Sequence, residues 1–252
     1  MPENIIAVMK RYELKYIMTQ KQRAFLEASL EGHMKLDKYG ITSIASLYYD
    51  TMDYRLIRNS IEKPAFKEKI RLRSYGLATD DSPVFLELKR KYDGIVYKRR
   101  VQTTIPQVDR FFLREGDIVA DGQIAREITY FRDYYGTLVP ACLIIYDRAA
   151  YFEPGGDLRL TIDGNPRYRI KDANLVTDMS GISLLPEGYS ILEIKVQEAM
   201  PLWLAHILSE GQIYKASFSK YGEAYKRQVY DLMLERNHTP WITSSTPSSL
   251  LR

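Results

Sequence analysis

Cysteine and histidine are nearly missing from this chain: 252 residues contain one of the former and three of the latter. A single thiol excludes an internal disulfide and, with so few imidazoles, the clusters that zinc prefers. Cys142, within LVPACLIIY, reads as a small buried residue. His33, His206 and His238 fall just past a helix, on an amphipathic helix and in a polar tail. None has a motif around it, so a nucleophilic triad has no support. Neither a Walker A pattern nor a GxGxxG fingerprint occurs, so phosphate would have to be held by side chains rather than by a glycine-rich loop. No apolar run approaches the roughly 18 residues that span a bilayer, and MPENIIAVMKRYELKY has no apolar signal region. A soluble cytoplasmic protein is the expectation.

What is present is ordinary in bulk. Hydrophobic residues make up 45% and charged residues 27%, with a net charge of only +4, as in a globular domain with a substantial core. No internal repeat or linker divides the chain. One domain is expected over residues 1–236, followed by a Ser-, Thr- and Pro-rich tail, 237–252, with little to bury.

The informative feature is local. KEKIRLR from Lys67, LELKRK from Leu86, VYKRRV from Val96 and RLTID from Arg159 alternate charged with apolar residues. Period-two alternation marks a β-strand with unlike faces. It places Lys67, Lys69, Arg71 and Arg73 on one face, then Glu87, Lys89 and Lys91, then Lys98 and Arg100. YELKY adds Glu13 with Lys15, and ILEIKV adds Glu193 with Lys195. Two like charges about 7 Å apart at an effective dielectric near 20 repel by roughly 2 kcal/mol, so such faces call for an anionic companion. The opposite face, with Ile70, Leu72, Leu86, Leu88, Leu160 and Ile162, needs a cover. Helices outside would leave the polar face lining an interior, as in a barrel with a wet lumen.

Around these strands, Thr19 and Gln22 have capping-box spacing before a helix over 20–31. ITSIASLYYDT reads as a strand, after which Asp50 or Thr51 caps a short helix from Leu56 to Ile61. ATDDSP and the Asp93–Gly94 pair read as turns. Helices are expected over Val108–Arg114 and Gln123–Tyr135, a hairpin across EPGG, and late helices at PLWLAHILSEG and YGEAYKRQVYDLMLER.

Arginine grips phosphate oxygens in bidentate fashion and lysine acts as a mobile point charge, so their mixture on one face suits a chain of phosphates. Glu13, Glu87, Asp163 and Glu193 fall in phase with these cations. Such oxygens suit magnesium or manganese held partly through substrate phosphates, or else salt bridges to adjacent lysines. The salt-bridge reading suits Glu13 and Asp163, Glu87 fits either, and Glu193 is the best metal candidate.

In order, RYELKY, KEKIRLRSYG, FLELKRK, YKRRV, IIYDRAAY, LRLTID, ILEIKV and FSKYGEAY resemble the VTC domain, the polyphosphate polymerase branch of the triphosphate tunnel metalloenzyme superfamily. The resemblance implies an α+β fold with an antiparallel eight-stranded β-barrel tunnel, a charged lumen and helices packed outside. It implies a metal-dependent enzyme, with Mn2+ or Mg2+, that transfers the terminal phosphoryl group of ATP to a growing polyphosphate. By position, Lys15, Arg71, Arg73, Lys89, Lys98, Arg148, Arg159 and Lys220 look like the catalytic phosphate-binding set, with Lys69, Lys91, Arg100 and Lys195 as further substrate contacts. Glu193 looks like the metal carboxylate, with Glu87 and Glu13 beside it. The broader superfamily opens its first strand with Glu-x-Glu-x-Lys, and Arg11 stands at the first glutamate position here, which weakens a hydrolase of the thiamine-triphosphatase or cyclase type.

Expected partners are ATP, triphosphate and inorganic polyphosphate; a membrane-protein partner outside this chain and the oligomeric state stay open. Two alternatives share the same face: a tripolyphosphate or nucleoside-triphosphate hydrolase, and a non-catalytic polyphosphate-binding protein. Nucleic acid is not expected, because Tyr48, Tyr49, Tyr75 and Tyr92 fall on apolar faces and turns, where packing is the commoner role. Like-charge repulsion further predicts that replacing Arg71 or Arg73 with alanine leaves the fold intact or firmer.

Overall fold

A computed structural model describes residues 12–93, 95–118 and 122–228. The strands and helices among them form an α+β fold: β1 (Tyr12–Met18), α1 (Gln20–Ser29), β2 (Lys35–Asp50), α2 (Arg55–Ile61), β3 (Phe66–Tyr75), β4 (Val84–Tyr92), β5 (Ile95–Thr103), α3 (Ile105–Phe112), α4 (Gly122–Tyr135), β6 (Val139–Phe152), β7 (Arg159–Arg169), β8 (Ile182–Ser183), β9 (Ser190–Val196), α5 (Leu202–Glu210) and a final helix α6 over 220–228. Every ladder is antiparallel, in the order β1-β9-β7-β6-β2-β3-β4-β5, with β8 attached to β7.

Local chemistry sets the boundaries. Thr19 and Gln22 form the expected capping box of α1, each side chain meeting the other's backbone N–H. At α2 both foreseen caps act together: Asp50 accepts from the Leu56 and Ile57 amides at 2.8 and 3.0 Å, and Thr51 Oγ1 from Arg55 N at 2.9 Å. The β4–β5 connection is the tight turn expected, with Asp93 at φ 43°; Gly94 lies outside the described residues. So do the end of the YGEAY helix beyond 228 and the whole tail from Asn237.

Two strands outrun their sequence patterns. β2 begins at Lys35, ahead of the expected ITSIASLYYDT, because residues 37–40 are absorbed in a bulge between Leu36 and Ile41, with Gly40 at φ +60°. β7 continues past Asp163 through a register shift opposite Ile145 and Asp147, with Asn165 at φ 48°. β8 carries no pattern at all, being two exposed residues.

The alternation predicted for the basic strands is observed. Leu86, Leu88, Ile70 and Leu72 are buried with Val108, Phe111, Ile128 and Phe131 of α3 and α4. Leu160, Ile162, Leu192 and Ile194 are buried with Leu26 of α1 and Leu204 and Leu208 of α5. Helices thus cover the apolar face on two sides. A third cluster joins Ile57 of α2 and Tyr221 and Ala224 of α6 to Ile44, Ile144 and Tyr146. These strand residues point to the opposite, polar face, so α2 and α6 close part of it.

The expected eight-stranded closed barrel is not formed. Eight strands make one continuous path, but no ladder joins β1 to β5 among the described residues. The outer edge of β1 meets one isolated bridge instead, Tyr16 with Lys215, where Ala216 N donates to Lys15 O at 2.7 Å. The sheet nevertheless curls far enough for Lys89 of β4 to pair with Glu13 of β1 at 3.4 Å. Alternation along a strand fixes which way a side chain points, not whether the two last strands reach hydrogen-bonding distance.

Candidate functional site

Curvature gathers the in-phase charges of β1, β3, β4, β5, β6, β7 and β9 on one concave face, and four carboxylates organise them. Glu87 of β4 is 1% exposed. Arg71 pairs with its Oε2 at 2.7 Å and Arg73 lies 3.8 Å from the same atom; Lys98 is 2.8 Å and Arg100 3.6 Å from Oε1. These partners come from the strands on either side, because Glu87 stands opposite Arg71 on β3 and Arg100 on β5. Burial alone would push the carboxyl up, but Arg71, Arg73 and Lys98 overrule it and hold it at about 2.

Asp163 of β7, fully buried, accepts two bonds from the Arg148 guanidinium at 2.6 and 2.8 Å and another from Lys220 at the start of α6. Burial opposes its charge, yet Lys220 and Arg148 keep the carboxyl below the usual range. It is the salt bridge expected of it.

Glu193 of β9 pairs with Lys195 at 2.8 Å and Lys15 at 3.7 Å, and Glu13 of β1 with Lys15 at 3.5 Å and Lys89 at 3.4 Å. Register explains the pattern: Glu13 stands opposite Lys195, and Lys15 opposite Glu193. Despite burial, Lys195 and Lys15 draw Glu193 well below an ordinary carboxyl. Lys15 is lowered by burial and raised by Glu193 and Glu13, which prevail.

Cations outnumber carboxylates here, and the surplus is visible in neighbouring groups. Lys69 of β3, opposite Lys89, contacts Ser219 Oγ at 3.5 Å and the face of Tyr221, with no carboxylate paired to it among the described residues. Burial, with Lys67, Lys89 and Lys15 nearby, brings it down to about 8 although Tyr48 opposes the change. Two phenols on this face, half-buried Tyr48 and buried Tyr146, move the other way from what burial dictates. Tyr48 is lowered by Arg71 and Lys69, and Tyr146 by Arg148 and Arg73. Only a strongly positive local potential does this to a buried tyrosine.

The structure therefore brings together Lys15, Lys69, Arg71, Arg73, Lys89, Lys98, Arg100, Arg148, Lys195 and Lys220 with Glu13, Glu87 and Glu193. Two named residues stand apart. Arg159 turns its guanidinium to the carbonyls of Gly156 and Leu158 in the β6–β7 turn, and Lys91 is exposed at the end of β4 beside Lys67.

Several polar neighbours escaped the sequence reading. Tyr48 Oη accepts from Arg71 at 2.9 Å, and Tyr146 Oη and Ser46 Oγ accept from Arg73 at 3.2 and 3.4 Å. Ser46 and Tyr48 share one phase of β2, as Tyr146 and Arg148 share one phase of β6. That signal was available but is drowned by the apolar run around it.

The donor set bears on a divalent metal. Thr161 stands opposite Glu193 on β7, and its Oγ1 is buried without a hydrogen-bond partner among the described residues. With Glu193 and Glu13 it offers hard oxygens on three adjoining strands. Among the described residues no group of three or more His, Cys, Asp or Glu side chains forms a cage. These oxygens fit a cation whose other ligands come from phosphates, the manner in which magnesium and manganese are commonly bound.

A family model described as the VTC domain matches residues 10–229. No curated protein matches the chain. Among solved structures, a candidate adenylate cyclase from Bacillus halodurans aligns with a TM-score of 0.53 at 13% identity, covering 84% of this chain and 96% of that one. A candidate adenylyl cyclase from Hippeastrum, described as having a dominant triphosphatase activity, aligns with a TM-score of 0.49 at 16% identity, covering 83% of this chain and 92% of that one. The first of these likenesses extends to the fold. No described helix is long and apolar enough to cross a membrane.

Proposed function

Because the chain belongs to the VTC domain family, within the triphosphate tunnel metalloenzymes, we propose that it is a metal-dependent polyphosphate polymerase. Its concave face would hold the triphosphate of ATP and transfer the terminal phosphoryl group to inorganic polyphosphate. The observation that carries this reading is the cation surplus among the described residues: Arg71, Arg73, Lys98 and Arg100 share one carboxylate, Glu87, and Lys69 pairs with none. Positive charge in that excess is stabilised by a bound polyanion.

In the reaction, a terminal oxygen of the acceptor polyphosphate forms a bond to the γ-phosphorus of ATP as the bond from that phosphorus to the β,γ-bridging oxygen breaks, and ADP leaves with the electron pair. The acceptor oxygen is already ionised at neutral pH, so neither a protein nucleophile nor a general base is required. Arg71 and Arg73 orient phosphate oxygens, while Lys15, Lys89 and Lys98 neutralise charge spread over the transferring group. Glu87 and Asp163 act as counter-charges that hold the guanidinium and ammonium groups in place. Mn2+ or Mg2+, with Glu193 and Glu13 as protein donors, would supply further neutralisation across phosphate oxygens.

Incubation with ATP and Mn2+ followed by gel analysis of phosphate chains tests the proposal. Ladders of long chains support it. Orthophosphate alone would make the protein a hydrolase, and tight polyphosphate binding without turnover would make it a binding protein. Glu193→Ala is expected to raise the Mn2+ concentration needed for half-maximal turnover at least tenfold while changing tripolyphosphate affinity little. Turnover at ordinary metal concentration would assign Glu193 to its lysine pairs alone.

Lys69 adds a pH dependence. It is cationic below about 8 and neutral above, so tripolyphosphate affinity should fall between pH 7 and 9.5 by about tenfold, the loss of one charge-assisted contact. Lys69→Arg, which stays charged throughout, should flatten that part of the titration curve. An identical slope in both proteins would remove Lys69 from the site.

A further inference from the structure

On the far side of the same strands lies a cavity of about 1040 Å³, bounded by α2 and α4 and floored by β3 and β4. Glu68 and Arg90, which stand opposite one another in the β3–β4 ladder, point away from the concave face and form the floor. That floor is saturated. Arg90 pairs with Glu68 at 2.9 Å and with Glu127 at 3.0 Å, Arg99 pairs with Glu127 at 3.1 Å, and Tyr135 Oη donates to Glu68 at 2.9 Å.

The walls are different. α4 presents Arg126, Tyr130 and Tyr134 along one stripe at helical spacing, and α2 presents Arg55 and Arg58 one turn apart. Tyr130 and Tyr134 are 66% and 56% exposed, with rings stacked at 6.2 Å. Arg55 forms no ion pair within 4.0 Å among the described residues, although Asp53 is close enough to feel its charge; its guanidinium lies 5.6 Å from the Tyr134 ring centre and 5.3 Å from that of Tyr135. Arg126 forms no ion pair among the described residues, and Arg58 reaches the carboxylate of exposed Asp53 at 3.5 Å and its backbone carbonyl at 3.3 Å. Exposed tyrosine rings beside guanidinium groups that lack close ion pairs suit a flat ring bearing an anionic tail. The ring stacks on tyrosine, and the tail meets arginine forks.

We propose that this outer cavity is a nucleotide-binding site, separate from the concave face, with the base against Tyr130 and Tyr134 and the phosphates toward Arg55, Arg58 and Arg126. The inference does not depend on the reaction assigned to the concave face. Its ligand class differs from bare polyphosphate, which has no ring to stack.

Isothermal titration of the full chain with ADP, in saturating tripolyphosphate to occupy the concave face, provides the test. Binding should persist there, and pyrophosphate should bind the cavity at least tenfold more weakly than ADP. Arg55→Ala, Arg126→Ala and Tyr134→Ala should each weaken ADP about tenfold while leaving tripolyphosphate affinity unchanged, and Arg71→Ala should do the reverse. These side chains are exposed or half-buried, so the folds should survive; Arg55→Lys, which keeps charge but loses the flat fork, serves as a second variant and should weaken ADP as well. Absence of ADP binding under tripolyphosphate, equal affinity for pyrophosphate, or indifference of ADP binding to the α2 and α4 variants would overturn the assignment. Loss of tripolyphosphate binding in Arg71→Ala bears on the concave face alone, so the two readings fail separately.

Discussion

Arg71→Ala should weaken tripolyphosphate binding about a hundredfold, measured by titration calorimetry at neutral pH. A guanidinium with two forked donors aimed at phosphate is worth roughly 3 kcal/mol when truncated in a desolvated setting, and each 1.4 kcal/mol is a factor of ten. Arg71 is half-buried on the concave face, with burial lowering its basicity and Tyr48 and Glu87 raising it further, so it stays cationic at any working pH. Repulsion among strand cations suggests a firmer fold in this variant, but the structure reverses that expectation. Arg71 donates to Glu87 at 2.9 Å and to Tyr48 at 2.9 Å, so its loss should cost about 1–2 kcal/mol of stability. Arg73, Lys98 and Arg100 remain to hold Glu87. Unchanged tripolyphosphate affinity would remove Arg71 from the site.

Glu87→Gln should have the largest effect on stability. Its carboxyl titrates at about 2 in the folded chain, against about 4.3 when unperturbed. A carboxyl depressed in the folded state stabilises the fold above its unfolded value, and that contribution disappears as pH falls toward 2. The depression corresponds to about 3 kcal/mol, in line with the 3–5 kcal/mol typical for breaking a buried ion pair. For a chain of this size the melting temperature should drop by roughly 10 °C at pH 7. The gap between the two proteins should close between pH 4 and 2. Tripolyphosphate should restore much of the loss in the variant, because a ligand at a thousand times its Kd adds about 4 kcal/mol to the folded state. A variant as stable as the parent at pH 7, with impaired metal dependence instead, would make Glu87 a metal ligand rather than a counter-charge.

The two readings of Glu87 illustrate how far the sequence reaches. Period-two alternation in KEKIRLR and FLELKRK assigned each side chain to a face, and burial follows it through Lys69, Ile70, Arg71 and Leu72 but not at Arg73 or Glu87, which are buried on the charged face. It carries no information about which cation meets which carboxylate, since that depends on ladder register and curvature. Glu87 could therefore serve either role on paper, and only the pairing with Arg71 and Arg100 across both neighbours reveals its ring of cations. Arg159 shows the converse limit. It has the right phase, yet it begins its strand, where turn carbonyls compete for the guanidinium. Thr161 was in phase as well, two residues on, but a neutral hydroxyl gives no charge signal. Seam closure between β1 and β5 could not be read at all, because it depends on the summed twist of every intervening strand.

An unclosed sheet has a further outcome for solubility. Within the described residues β5 ends the path, so its outer row of amides and carbonyls is unclaimed by another strand, the usual invitation to a second molecule. Lys98, Arg99 and Arg100 run consecutively along it. A copy approaching in strand-to-strand fashion would bring a matching basic triplet, and electrostatic repulsion turns it away. Lys98 and Arg100, proposed above to meet phosphate, would thus also guard against intermolecular sheet extension together with Arg99 on the other face, and substitutions that neutralise all three should leave a protein prone to aggregate.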